Sequence, residues 1–561
     1  MGIEGVSCHG KVLLFELSPS VPNLGRYIVM PRFGLLAIAS ILSEKTGYEI
    51  KLLFEPYVGT IDVERIVREE PKFILVNGLT TSAQDNESFV GAIRKRLGRS
   101  VPVIAGGEHA TMFPFETLRY ADYVLLYEGD ETILELLAAL EEPDPSRRDR
   151  LLEAIPGLLY RDLAGIWRLN REIRRLKKID FRYDFRVVEG SEKAVSRFRL
   201  CQIPLQTSRG CTHYCSFCSW ISLFGKVGYL LRPIDDVLWD IHHTIEYTGF
   251  RSFIVTDNLF GGDVGYAEEL LHRIAVSFED RAEKPSFTVM CRADQFANGA
   301  SMFSDRHLEL MREAGVTHVS LGIESVSARS LVQMRKRTEI STVMAAAERL
   351  HRHGFNIAAT FVTGFDGDRY EDVLGIADFA TKIGCFTIQV YARNITPHTL
   401  DSIMARYRVI PGCPDKYRNG HAVNTFPALM LPSVLQRGIF EAASRFYEGK
   451  DPQKRLVGRI YKQIWSGIAT NHEALRKVEN DVLLPEKIYM AGKDGEYLLQ
   501  EKALQSLMND PERVDLLRMR VESAFRSVAR KTLADPREGM PAYKEHVPGD
   551  VIPSAGESSS A

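Results

Sequence analysis

The stretch SRGCTHYCSFCSW, residues 208–220, holds three of the chain's eight cysteines, spaced C-x3-C-x2-C at Cys211, Cys215 and Cys218. A closed structural zinc site wants four ligands. His213 lies between the first two cysteines, too close in the chain to be an easy fourth. A 4Fe–4S cluster held by three cysteines leaves one iron without a protein ligand, and that iron can bind a small molecule. The run IPLQTSRG (203–210) just before the cysteines has strand length. The thiols therefore follow the first strand of a series, at the end where barrel active sites are built.

Downstream, the apolar runs SFIVTDN, SFTVMCRAD, HVSLGIES, NIAATFVTG and FTIQVYAR alternate with helical patterns. With IPLQTSRG they make six βα units, which predict a six-unit barrel open on one side, a second open sheet being the competitor. From 401 to about 533 the pattern is mostly helical, as in LPSVLQRGIFEAASRFYEG. The polar tail from 534, ending SAGESSSA, is expected to be disordered.

Upstream, residues 1–145 read as a doubly wound parallel sheet. KVLLFEL, EIKLLFE, FILVNGL, VPVIAGG and DYVLLYEG are apolar throughout, as in strands covered on both faces, and helical segments separate them. Such sheets bind ligands beyond the carboxyl ends of their strands. There stand Thr80, Thr81 and Ser82 after the third strand, Gly106, Gly107, Glu108 and His109 after the fourth, and Glu128, Gly129 and Asp130 after the fifth. Residues 146–200 break the rhythm, with a hairpin around Ala164-Gly165 and a basic run over 171–178, and read as a connector. The domains expected are thus 1–145, a linker 146–200, a barrel 201–400, a helical region 401–533 and a tail.

The chain has 561 residues, 45% hydrophobic and 26% charged, with a net charge of −2. That balance fits a soluble globular protein and does not favour nucleic acid or an anionic membrane as partner. The opening MGIEGVSCHG lacks a basic-then-apolar signal pattern. The longest apolar run, FGLLAIASIL, is half the length of a bilayer span. A cytoplasmic protein without a membrane span is expected, and there clustered thiols suggest metal or catalysis rather than disulfides.

The cysteine spacing, with Phe217 before the last thiol, resembles the signature of the radical S-adenosylmethionine (SAM) superfamily. The resemblance implies that Cys211, Cys215 and Cys218 hold the cluster, that SAM chelates the open iron, and that Phe217 lies by the adenine. It places Asp257 and Asn258 (VTDNLF) at the SAM amino end, although the more usual Gly-Gly-Glu is absent. It sets Arg292 (CRAD) at the carboxylate, Glu324 and Ser325 (LGIES) at the ribose, and Gly364 (FVTGF) near the adenine. SAM cleavage would give a 5′-deoxyadenosyl radical, which takes a hydrogen atom that no base could remove as a proton. The stretches PRFGLLAIASIL, VPVIAGGEHATMFPFETL and ADYVLLYEGDETILELL resemble the cobalamin-binding domains that precede some radical SAM domains. Thr80, Ser82, Gly106, Gly107, Glu108, His109, Glu128 and Gly129 are then the candidate cobalamin contacts. The D-x-H-x-x-G motif that gives cobalt a histidine in some cobalamin enzymes is missing, so cobalamin without a lower histidine ligand is implied.

The first reading is a cobalamin-dependent radical SAM methyltransferase acting on a small molecule, with a flavodoxin or ferredoxin as reductant. The alternative keeps both cofactors without methyl transfer, as in an oxidative cyclase or a rearrangement enzyme. An iron–sulfur electron carrier or a zinc-stabilised binding module is the reading from another class. Tyr391, Arg393 and Asn394 are substrate-pocket candidates. Cys8, Cys201, Cys291, Cys385 and Cys413 read as small packing residues, His242-His243 as a helix surface, and the 171–178 run as solvated.

Overall fold

The computed structural model describes residues 9–20, 29–193, 202–224, 229–297, 302–397, 399, 402, 405–413, 420–448, 451–492 and 496–533. Cys8, Cys201 and the tail from 534 lie outside the described residues. Packing divides the chain into two units: residues 1–323 with 331–358 and 394–406, and residues 324–330 with 359–393 and 407–561.

The apolar runs of the N-terminal half become β1 (Lys11–Glu16), β2 (Glu49–Phe54), β3 (Phe73–Asn77), β4 (Val103–Gly106) and β5 (Tyr123–Leu125). All pair in parallel, in the order β2-β1-β3-β4-β5. Leu13, Phe15, Ile74, Val76, Val103, Ala105 and Val124 are each at most 2% exposed, with Ile66, Val90 and Ile93 of the intervening helices buried in the same cluster. Sheet winding reverses between β1 and β3, the switch point where such sheets open a crevice.

Two features depart from the expected order. The hairpin around Ala164-Gly165, read as part of a connector, forms β6 (Leu158–Arg161) and β7 (Trp167–Leu169). These add antiparallel to β5 and complete a seven-stranded sheet. Leu158, Leu159 and Tyr160 are buried, which is what draws the hairpin onto the sheet. The run IPLQTSRG is also two strands, β8 (Ile203–Leu205) and β9 (Ser208–Arg209). Thr207 and Ser208 bond to the Asp257 carboxylate, so the backbone leaves the ladder, and β9 pairs antiparallel with β10 (Leu230–Leu231).

β11 (Ser252–Val255), β12 (Ser286–Arg292), β13 (Val316–Glu324), β14 (Asn356–Thr363) and β15 (Thr387–Ala392) fall on the remaining five predicted runs. With β8 they make a curled half-barrel sheet in the order β15-β14-β13-β12-β11-β8. Between strands, Asp263 and Ser304 cap the helices Val264–Ser277 and Asp305–Glu313 through side-chain bonds to Tyr266 N and His307 N. The C-terminal region is helical over Pro432–Tyr447, Pro452–Val478, Glu501–Met508 and Pro511–Leu533. It also carries a short hairpin the periodicity did not show, β16 (Tyr489–Ala491) with β17 (Tyr497–Leu499). Among the described residues no helix is long and apolar enough to cross a membrane.

Candidate functional site

The cysteine loop leaves β9 with its thiols part-exposed and in no disulfide. Three contacts within the first unit fix its course. Ser216, between the last two cysteines, donates its N–H to Met334 O at 2.9 Å and its hydroxyl to Gln333 O at 3.1 Å. Gly210 N donates to Asn258 Oδ1 at 3.3 Å. The Arg292 guanidinium lies 3.9 Å from Cys215 Sγ, and the Cys215 and Cys211 sulfurs both act on its charge. Thiolate is the form of cysteine that binds iron. Burial and the Arg292 charge together hold the neighbouring His213 imidazole below its ordinary pKa.

Among the described residues no three His, Cys, Asp or Glu side chains close on a single ion. In a 4Fe–4S cube each cysteine holds its own iron, so three thiols on one loop need no single focus. The donor set, three thiols on one loop beside a guanidinium, fits such a cluster.

The resemblance-derived SAM residues fall into both units. Asp257 is 1% exposed, and both its oxygens are engaged, by Thr207 N at 2.7 Å, Thr207 Oγ1 at 2.5 Å and Ser208 Oγ at 2.6 Å. Burial pushes its carboxyl pKa up. Asp257 thus ties down the segment leading into the cysteine loop, while Asn258 is exposed. Arg292 is anchored by Asp294 at 2.9 Å and by Lys336 O at 2.6 Å. Phe217 is half-buried.

In the second unit, Glu324 ends β13 with φ +70°, a strained conformation for a non-glycine residue. Ser325 Oγ accepts from Ser327 N at 3.0 Å. Gly364 takes φ +100° after β14, where a Cβ would lie 2.7 Å from Leu435 Cδ2. Asp368, which sequence reasoning missed, holds that turn. Its Oδ2 accepts from Gly364 N (2.8 Å), Phe365 N (3.0 Å) and Thr363 Oγ1 (3.2 Å), and its Oδ1 from Ser330 Oγ (2.5 Å). Of the pocket candidates, Arg393 pairs with Asp366 at 3.3 Å, and the Tyr391 ring lies 5.0 Å from His421.

The candidate cobalamin residues sit at the carboxyl ends of the first sheet. Thr80–Ser82 form a helical turn after β3. A shallow cleft at the β1/β3 switch point is lined by Glu16, Asn77, Thr81 and Ser82 among others. Gly107 adopts φ +93°, and a Cβ there would run into the Asn77 side chain. Close backbone approach of this kind suits a nucleotide-like tail. His109 is 1% exposed, its Nδ1 is 3.3 Å from Thr80 Oγ1 and its ring stacks by Phe113. Gly129 follows Glu128 and approaches Ile38.

Both flanks of the cysteine loop are tied to these strand ends. Arg209, two residues before Cys211, donates to Glu128 Oε1 at 3.1 Å, to Asp130 at 3.1 and 3.2 Å and to Gln206 Oε1 at 3.3 Å. Ser219, just after Cys218, donates to Glu108 Oε1 at 3.0 Å. Arg209 is 8% and Glu128 7% exposed. Sequence reasoning named Glu108 and Glu128 but not their partners, because no local pattern joins residues about 80 to 110 positions apart.

The model of the radical SAM superfamily matches residues 205–380, and that of the B12 binding domain matches residues 26–137. The anaerobic magnesium-protoporphyrin IX monomethyl ester cyclase of Synechocystis sp. is 26% identical over 434 residues, 72% of this chain and 80% of that protein. An uncharacterised methyltransferase of Pyrococcus horikoshii is 26% identical over 382 residues, 66% of this chain and 78% of its own length. The solved structure of the cobalamin-dependent SAM radical enzyme OxsB, with aqua-cobalamin and SAM bound, shares the fold. It matches with a TM-score of 0.61 at 15% identity, covering 94% of this chain and 81% of that one. The chain is therefore an enzyme of the cobalamin-binding radical SAM family, with a 4Fe–4S cluster, SAM and cobalamin as its cofactors.

Proposed function

We propose that this enzyme removes a hydrogen atom from an unactivated carbon of a small cytoplasmic molecule and places a methyl group there. The observation that carries the reading is the pair of ties from Arg209 and Ser219 to Glu128, Asp130 and Glu108. They hold the cysteine loop against the strand ends that offer a cobalamin site, so a substrate between them meets both cofactors. When bound, the cluster with SAM supplies a 5′-deoxyadenosyl radical and cobalamin supplies the methyl group.

The chain's own residues do the positioning. Cys211, Cys215 and Cys218 would hold a 4Fe–4S cluster with one iron left open to SAM. Arg292, beside the Cys215 sulfur, would meet the SAM carboxylate. Asn258 would serve the amino end, and Asp257 holds the segment leading into the cysteine loop. By the resemblance, Phe217 in the first unit and Glu324, Ser325 and Gly364 in the second are each candidate nucleoside contacts, with Asp368 fixing the Gly364 turn. Thr80, Ser82, Gly106, Gly107 and Gly129 give the corrinoid close backbone approach. Glu108 and Glu128, engaged with the loop, set its distance. His109, packed under Thr80 and Phe113, is not a lower ligand to cobalt.

The similarity to a cyclase favours a second reading, hydrogen abstraction without methyl transfer. Turnover products separate the two. The methyltransferase reading requires both S-adenosylhomocysteine and 5′-deoxyadenosine, with a substrate heavier by one methylene unit. Release of 5′-deoxyadenosine alone would transfer the assignment to the cyclase-like reading.

A further inference from the structure

We propose that the outer face of the cysteine loop is the docking surface for a small acidic one-electron carrier protein. The proposal rests on the cluster assigned above. Residues 333–337 lie directly on the loop, through Ser216 to Met334 O and Gln333 O and through Arg292 to Lys336 O. They end in three consecutive cations, Arg335, Lys336 and Arg337.

Lys336 is 6% exposed, but Arg335 and Arg337 on either side of it are exposed. Among the described residues neither arginine forms an ion pair. Both hold φ +54°, a region long side chains rarely enter. That conformation turns the chain sharply at each arginine and presents two charged groups around a buried lysine. Val332, three residues before Arg335, is 79% exposed, and Tyr214 on the cysteine loop is 40% exposed.

Exposed cations beside the cluster loop are what a weak, electrostatically steered redox encounter needs. The site is also where an electron must enter, because the part-exposed thiols lie on this loop. The step is simple: the carrier loses one electron, the cluster gains it, and no atom is transferred. An acidic partner suits the surface because nothing among the described residues neutralises the two arginines.

The test uses the reconstituted holoenzyme with two reductants, an acidic flavodoxin charged by its NADPH-dependent reductase, and titanium(III) citrate. The Arg335→Glu/Arg337→Glu variant should raise the half-saturating flavodoxin concentration for 5′-deoxyadenosine release by about 10-fold or more. It should flatten the salt dependence and leave the titanium-driven rate unchanged. Equilibrium binding of oxidised flavodoxin, followed by its flavin fluorescence, should weaken in parallel. Arg335→Gly/Arg337→Gly removes the charges in residues suited to positive φ, and should give the same loss should the glutamate variant not fold. Unaltered flavodoxin dependence in a folded variant overturns the proposal, as does a wild-type enzyme driven by titanium but not by flavodoxin. Absence of SAM cleavage with either reductant would instead fall on the proposed function.

Discussion

Replacing Arg209 by methionine removes the one cation that, among the described residues, Glu128 and Asp130 share. The Glu128 side chain is 2% exposed and that of Asp130 14%. Removing one partner of a buried ion pair costs about 3–5 kcal/mol, since the surviving charge stays out of water. Glu128 keeps the Leu176 N–H at 3.1 Å, and Asp130 is reached by water, so the expected loss lies near the lower end, about 3 kcal/mol. A domain's whole stability is about 5–15 kcal/mol. Urea unfolding measures the loss, and iron content after reconstitution reports the loop two residues away. Adding Glu128→Gln and Asp130→Asn to Arg209→Met removes the stranded charges and should restore most of the stability. It should not restore iron content, because the Arg209 tie two residues before Cys211 stays broken. A loss below about 1 kcal/mol in Arg209→Met, or a triple variant no more stable than the single one, would refute the reasoning.

Glu479 is 3% exposed, and burial pushes its carboxyl from 4.5 to about 7 against two bonds from Ser433. The fold therefore favours the protonated form. Its contribution is full below pH 4.5 and is lost as pH rises through about 7, a change of about 3 kcal/mol. Glu479→Gln should remove that slope, and parallel pH–stability curves for variant and wild type would contradict it. Asp368→Ala leaves two backbone N–H groups and two hydroxyls without their acceptor. It should cost about 3 kcal/mol and weaken SAM binding, with Asp368→Asn retaining most of both; equal behaviour of the two in denaturation and equilibrium dialysis would be inconsistent. His109→Ala should leave the cob(II)alamin paramagnetic resonance spectrum free of nitrogen splitting, as in wild type, whereas splitting lost on mutation would make His109 a ligand.

The sequence made the strand series legible because buried parallel strands must be apolar on both faces, and these runs are. The cysteine trio was equally plain, since its chemistry is local. The β8–β9 break was not, because it depends on Asp257, about 50 residues away, competing for the backbone of Thr207 and Ser208. The β6–β7 hairpin showed as a turn, but its attachment to β5 is a long-range pairing that no window of sequence contains. Asp257 illustrates the same limit at the site. Its strand-end position suggested a ligand contact, whereas its two oxygens are taken by the loop it supports. Arg209 and Asp368 were missed because a single charged residue in a short motif carries no periodic signal. Their importance comes from burial and from the partners folding brings to them.

The account stands most directly on what the purified protein holds. Anaerobic reconstitution with iron, sulfide and hydroxocobalamin, followed by metal analysis and optical spectra, should give one 4Fe–4S cluster and one corrinoid per chain. Alanine at Cys211, Cys215 or Cys218 should abolish the cluster and spare the corrinoid. A chain that binds the cluster but no corrinoid, or keeps its cluster without one of those thiols, would contradict it.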